Sequence, residues 1–292
     1  MIKTTQLFLP LARRLIRLLR SLTPEQWAAR TCYPTWTVKD IAAHLLQTGV
    51  ARLSRQRDGL LPAGSPPDDS EPSDTALAFS TVSRIIARNN EEGDRASAGL
   101  SPRVITDWLA VSERNLAQFF RRLPPHAPAF YAVTWAGETA SANWFDAGRE
   151  FTERWHHQEQ IREAVGARPL TSRRFLHPVL RILMRALPFW YRETPAEPGT
   201  AVFIRVTGRS GGVWRLIGEP RGWRLIEGGN HAVPASEITL SQDTAWKLLT
   251  RSITPAQARP SITFDGDMRL CEPFMAVKAV MMEDTLPGGE EG

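Results

Sequence analysis

Two side chains in one stretch of the chain are spaced to chelate an ion. Glu153 and His157 lie four residues apart in REFTERWHHQEQIREAVG. On a helix that spacing puts both on one face, one turn apart. A carboxylate and an imidazole so placed can hold one divalent cation, since zinc-type ions take mixed N and O ligands at about 2.0–2.2 Å. Two ligands do not complete a site, but a facing helix of a bundle can supply a third. His44, in TVKDIAAHLLQ, shares a helix face with Ile41 and Leu45 and fits that position. A histidine on an apolar stripe needs a partner for its ring nitrogens. Each signal also has a plainer reading. A buried histidine is more often hydrogen-bonded within a core, and an i,i+4 Glu/His pair is more often a solvent-face ion pair. His156 points about 100° away from His157 and reads as a surface residue or a support for the ligands. His126, His177 and His231 have no ligand-spaced neighbours and read as ordinary.

The elements that must carry these residues follow from periodicity. Leu7, Leu11, Leu15, Leu18, Leu19 and Leu22 recur at helical spacing, with Pro10 near the start. Thr23 and Pro24 open a short turn as N-cap and first helical residue. A loop from Cys32 to Trp36 contains Pro34. A second helix opens at Thr37, with Asp40 in a capping-box relation, and runs through His44 to about residue 55. Residues 59–73, rich in Pro, Ser, Gly and acids, read as a long exposed loop. Helical spacing resumes over 76–90 and over 104–123, where it rests on Trp108, Val111, Leu116, Phe119 and Phe120. Pro124, Pro125 and Pro128 end that run. An irregular piece at 131–140 precedes a helix over 142–165, closed by Gly166.

Residues 1–166 therefore read as an all-α four-helix bundle. Residues 167–198 read as a linking helix (170–191), with Arg173, Arg174, Arg181 and Arg185 outward, and a boundary at Pro195 and Pro198. Residues 199–292 read as a smaller α+β domain. Its strands are short runs at 201–206, 213–217, 223–226, 238–240 and 261–264, punctuated by glycines. Its helices are 243–251 and a final one over about 272–282, with Pro273 in the first turn.

Composition narrows the classes. The 292 residues carry a net charge of +5, but arginines are mixed with acids. Arg13, Arg14, Arg17 and Arg20 read as the solvated face of a helix, and no aromatic pattern for stacking bases accompanies them, so no nucleic-acid partner is expected. No apolar run is long enough to span a membrane. The N-terminal stretch has its basic residues after the apolar part and no small-residue cleavage site, unlike a signal peptide. Two cysteines, Cys32 and Cys271, far apart and out of metal spacing, exclude a disulfide framework and suit a cytoplasmic protein. Neither has a base beside it that would make it a nucleophile.

The stretch LTPEQWAARTCYPTWTVKDIAAHLLQ resembles the opening of the DinB-like metalloenzyme superfamily, specifically the mycothiol-dependent maleylpyruvate isomerase family. Leu22, Thr23, Trp27, Cys32, Pro34, Trp36, Thr37, Val38, Asp40 and His44 carry the match. Tyr33, between Cys32 and Pro34, is a small departure. The family's Glu-x-x-x-His on the fourth bundle helix falls on Glu153 and His157. Gly266-Asp267 and the apolar helix after it are similar to the family's sterol-carrier-like C-terminal domain.

The resemblance implies three protein ligands, His44, Glu153 and His157, on a divalent ion, usually zinc, with an open position. It also implies a low-molecular-weight thiol such as mycothiol. A thiol entering that position would lose its proton, and the thiolate would attack an electrophilic small-molecule substrate. The outcome would be cis–trans isomerisation or S-transfer. Trp246 to Arg251 resembles a family stretch ending in Gly-Arg, with Thr250 in place of the glycine; Arg251 would clamp a substrate carboxylate, or else lie at a helix end as a surface residue. Asp40 caps its helix or orients the His44 ring from behind. A monomer or homodimer is expected. The other function class open to such a chain is a non-catalytic, metal-containing binding module for an apolar or lipid-like ligand.

Overall fold

The computed structural model describes residues 1–33, 35–60, 99–229 and 233–280. The readings of residues 61–73 and 76–90, of Pro34 and His231, and of the last two residues of the 272–282 helix lie outside the described residues.

The leucine repeat forms α1 (Phe8–Leu19), which buries Phe8, Leu11, Ala12, Leu15, Ile16 and Leu19. Arg13, Arg14, Arg17 and Arg20 stay exposed on the opposite side, as an amphipathic helix requires. After α2 (Pro24–Trp27), α3 (Val38–Arg52) opens on a reciprocal cap. Thr37 N donates to Asp40 Oδ2 at 2.8 Å, and Asp40 N donates to Thr37 Oγ1 at 3.3 Å. The helix then runs into one π-helical turn, Leu53–Arg57, where the expected end near residue 55 falls. Thr37→Ala is expected to lower stability by about 1 kcal/mol, seen as a lower denaturant midpoint at unchanged slope. An unmoved midpoint would show that α3 does not depend on this cap.

Ser101 caps α4 (Pro102–Arg122). Leu116 and Phe120 face the core, whereas Trp108 and Val111 are each 57% exposed, so the apolar pattern of α4 is wider than its buried face. The longest described helix, α5 (Asn143–Ala164), ends before Gly166 at φ 66°. Seventeen of its 22 residues are buried, which makes it the central rod, with α1, α3 and α6 (Arg173–Leu183) packed around it. Gly148 allows one of these approaches: a Cβ there would lie 2.3 Å from Ile182 Cδ1 of α6.

The expected linking segment is helical and its apolar face is buried in the core. It forms α6, a 3-10 turn and α7 (Leu187–Trp190), and Leu176, Val179, Leu180, Ile182 and Leu183 are fully buried. Arg185 lies over the Trp144 and Phe145 rings instead of in solvent. A five-stranded sheet follows: β1 (Ala201–Thr207), β2 (Gly212–Glu219), β3 (Gly222–Glu227), β4 (Ser236–Ser241) and β5 (Ile262–Gly266), in the order β3-β2-β1-β4-β5. Among the described strands, only the β1–β4 pair is parallel. Helix α8 (Gln242–Leu249) leaves β4 and packs on α6. One apolar cluster runs from Phe8 and Phe151 through Leu180 to Trp214 and Trp246. Trp155 of α5 meets Trp246 of α8 edge-on at 5.3 Å.

After α9 (Pro255–Ala258) and a single turn α10 (Met268–Cys271), the expected final helix is reduced within the described residues to one turn, α11 (Pro273–Ala276). Val277 leaves the helix at ψ 127°. The reason is tertiary: the Arg251 guanidinium takes the carbonyls of Met275 and Ala276 at 3.3 and 2.7 Å, acceptors that a continuing helix would have used.

Candidate metal centre

His44 comes from α3 between the fully buried Ile41 and Leu45, and Glu153 and His157 come from α5. One donor atom from each lies within 4.8 Å of the others. His44 Nε2 is 3.6 Å from Glu153 Oε1, and His157 Nε2 is 3.0 Å from the same oxygen. Ligands held tetrahedrally at about 2.0–2.2 Å from a metal are about 3.3–3.6 Å from one another, so the three side chains need little movement to close on one cation. The histidine side chains are 6% exposed and Glu153 is 25% exposed. The centre therefore opens to solvent on the carboxylate side.

The donor set fits a divalent ion. Both ring nitrogens of His44 are buried and neither has a hydrogen-bond partner among the described residues. An imidazole left so is costly, and a cation at Nε2 would take its lone pair. Burial pushes the His44 pKa down, which keeps the ring neutral. At Glu153 burial acts to raise the pKa, but the neighbouring His156 and His157, the bond from His157 and the nearby His44 ring outweigh it and hold the carboxyl well below the usual range. A neutral imidazole at His44 and a carboxylate at Glu153 are forms that bind metal.

Trp36 walls the site. Its ring centroid is 5.0 Å from that of His44 and 6.0 Å from that of His157, stacked on the latter. Behind His157, Nδ1 is 2.8 Å from Gln160 Oε1. Asp40 is engaged in its cap, bonding Thr37 through N and Oγ1, so capping is the role the structure gives it. His156 is not a surface residue: it is 2% exposed, with Nδ1 3.1 Å from the Thr152 carbonyl, because α5 is enclosed on nearly all sides. Cys32 is exposed and Cys271 buried, both as free thiols. Desolvation at the sulfur and the nearby Glu163 push the Cys32 thiol up to about 11, far from a ready thiolate. His126 is exposed, and His177 Nδ1 pairs with the Ser210 carbonyl. Arg251 is 8% exposed at φ 56°, a left-handed backbone position, and its guanidinium contacts the carbonyls of Met275 and Ala276.

A second polar constellation next to the site escapes a sequence reading. Arg52 of α3 bonds Asp146 at 2.7 Å and Glu150 at 3.3 Å. Arg149 bonds the same two carboxylates. Arg154 lies 3.1 Å from Glu150 and 3.3 Å from Glu113 of α4. Three arginines and three carboxylates thus balance inside the bundle, beside Glu153. Burial pushes Glu113 up; at Glu150 burial acts the same way but is outweighed by Arg154, Arg52 and Arg149. The alternation of charge along α5 looks like a solvent face, and no spacing rule marks it as internal.

A helix bundle with a His-Glu-His cluster in its core, continued by a small mixed sheet, defines a DinB-like fold with an α+β domain. The family model of the mycothiol maleylpyruvate isomerase N-terminal domain matches residues 8–162, more than half of the chain, and the chain belongs to that family. A crystal structure of the mycothiol-dependent maleylpyruvate isomerase is similar at a TM-score of 0.50 and 12% identity, covering 89% of this chain and 92% of that one. A mutant of a mycothiol-dependent maleylpyruvate isomerase is similar at 0.48 and 11%, with the same coverage. At such identity the first likeness establishes the fold, including the bundle and the sheet domain together. No curated protein matches the chain. None of the described helices is long and apolar enough to cross a membrane.

Proposed function

We propose that this protein is a thiol-dependent enzyme of the maleylpyruvate isomerase type. It would isomerise a cis double bond conjugated to a carbonyl in a small carboxylic acid, with a mycothiol-like thiol as co-substrate. The observation that carries the reading is the convergence of His44 Nε2, Glu153 Oε1 and His157 Nε2 on one point, in a chain that belongs to this family. A divalent ion, zinc by its N/O ligands, would supply charge there to lower the pKa of the incoming thiol.

The chain's residues do the rest by position. Glu153 is the most exposed of the three donors, so thiol and substrate enter on its side. Trp36 screens the two imidazoles from water and fixes their planes. The thiolate sulfur bonds to the alkene carbon remote from the carbonyl, and the π pair moves to the enolate. The former double bond rotates as a single bond, and the enolate then re-forms the alkene as sulfur leaves. Thiol is regenerated and no redox partner is needed. An S-transferase would instead release product with the sulfur attached.

Arg251 would act on the substrate carboxylate by exchanging a chain carbonyl for it, since Arg offers a planar fork of donors. Maleylpyruvate supplied with mycothiol, and separately with other low-molecular-weight thiols, tests the assignment by loss of the cis isomer. Catalytic amounts of thiol should suffice, and Arg251→Lys should raise KM more than it lowers kcat. Stoichiometric thiol consumption would indicate transfer, and no turnover with any thiol by the metal-loaded protein would favour the non-catalytic binding module.

A further inference from the structure

His157 is supported by a chain of hydrogen bonds that begins in the sheet domain. Thr250 Oγ1 donates to the Trp246 carbonyl at 2.9 Å. Its single proton is thereby engaged, so its 3.0 Å contact with Ser252 Oγ must be one in which Ser252 donates. Ser252 then has only lone pairs left for its 3.2 Å bond to Gln160, which must present Nε2–H. This orientation leaves Gln160 Oε1 facing His157 Nδ1 at 2.8 Å, and an amide oxygen only accepts. His157 therefore carries its proton on Nδ1. The Tyr33 hydroxyl also lies against Gln160 and Ser252, and the Cys32 thiol against Ser252; with the Tyr33 proton on the Thr250 carbonyl, the flipped amide would point an acceptor at a serine whose proton is already given to Thr250.

The consequence falls on the metal side of the ring. With the proton on Nδ1, a neutral His157 turns a bare Nε2 lone pair toward Glu153 Oε1, 3.0 Å away. Two acceptors at that distance repel unless a cation sits between them. Left to itself, the pair would settle the other way, with Nε2–H donating to the carboxylate and a proton in the place of the ion.

The geometry points to Thr250 and Ser252 as positioning residues that set the His157 tautomer through Gln160, so that the second domain prepares Nε2 for a cation. Tyr33 completes the junction: its hydroxyl donates to the Thr250 carbonyl at 3.3 Å. Tyr33 and Thr250, from the two halves of the chain, are thus bonded to one another. The left-handed turn at Arg251 lies between the two hydroxyl residues.

The inference rests on the metal reading only for its affinity arm, and the tautomer is measured without metal. The experiment compares wild type, Thr250→Val, Thr250→Ser and Ser252→Ala. Imidazole 15N shifts of the metal-free proteins, at a pH where His157 is neutral, should show the Nδ1–H form in wild type and Thr250→Ser. Thr250→Val and Ser252→Ala should shift toward Nε2–H. Titration with zinc against a chelator should then give about 10–100-fold weaker binding for those two variants, with Thr250→Ser near wild type. Equal tautomer populations in all four proteins would overturn the proposal, as would metal affinity unchanged in Thr250→Val and Ser252→Ala. Absence of metal binding by wild type, with the tautomer shifts present, would leave the relay standing and defeat the metal reading instead.

Discussion

Purified wild-type protein is expected to carry one divalent ion per chain, and His44→Ala and His157→Ala are each expected to lose it. The loss should exceed the about 10–100-fold that removing a supporting residue costs, since each substitution takes away one of three protein donors. His157→Ala should be the more severe, because it also strands Gln160, which is 1% exposed, without its acceptor role filled. His44→Ala should leave a small cavity beside Trp36 and the Glu153 carboxylate without its second imidazole. Thiol-dependent turnover should fall to background in both. Elemental analysis and chelator competition on the three proteins read this directly. Equal metal content in all three would sink the triad as a metal site.

Arg52→Met should destabilise the protein by about 3–5 kcal/mol, the range for removing one partner of a buried ion pair. Arg52 is 3% exposed and bonds both Asp146 and Glu150. Without it those carboxylates remain buried with less positive charge, held by Arg149 and Arg154 alone. Methionine keeps much of the volume, so the effect reads charge rather than a cavity. Lost stacking adds to it, because the guanidinium also lies over Phe120 and Tyr131 at 5.3 and 4.6 Å. Thermal melting should move down on the order of 10 °C. Arg52→Lys, which keeps charge but not the fork, should fall between. A melting point within about 2 °C of wild type for Arg52→Met would mean that the network tolerates an unpaired acid, against the argument.

The helices that carry the candidate metal donors were readable because their signals are local. The Thr37/Asp40 cap and the apolar stripe place His44, and the four-residue step places Glu153 beside His157; neither requires knowing what lies across the bundle. The strands too declare themselves through β-branched runs between glycines, and all five fall close to their expected positions. Arg251 was readable only as a residue of interest. Its donors are directed to Met275 and Ala276 by a fold in which the C-terminal turns pack on α7 and the chain after them returns to the end of α8, and the same contact ends the helix expected to reach residue 282.

What the sequence alone determined, then, is the position and phase of the long bundle helices and of the strands, and through them a His-Glu-His set of candidate metal ligands. Tertiary structure alone decided what encloses that set. A period of 3.6 marks one face of a helix, but α5 is buried on nearly every face, so His156, Gln160 and the Arg–carboxylate network lie inside where polar spacing predicts solvent. The hydroxyls of Thr250 and Ser252 are some 90 residues from Gln160 in sequence and meet it only because one core joins the bundle to the sheet. Hydrogen-bond direction depends on every partner along a chain of contacts, and such contacts exist only once the two halves have packed.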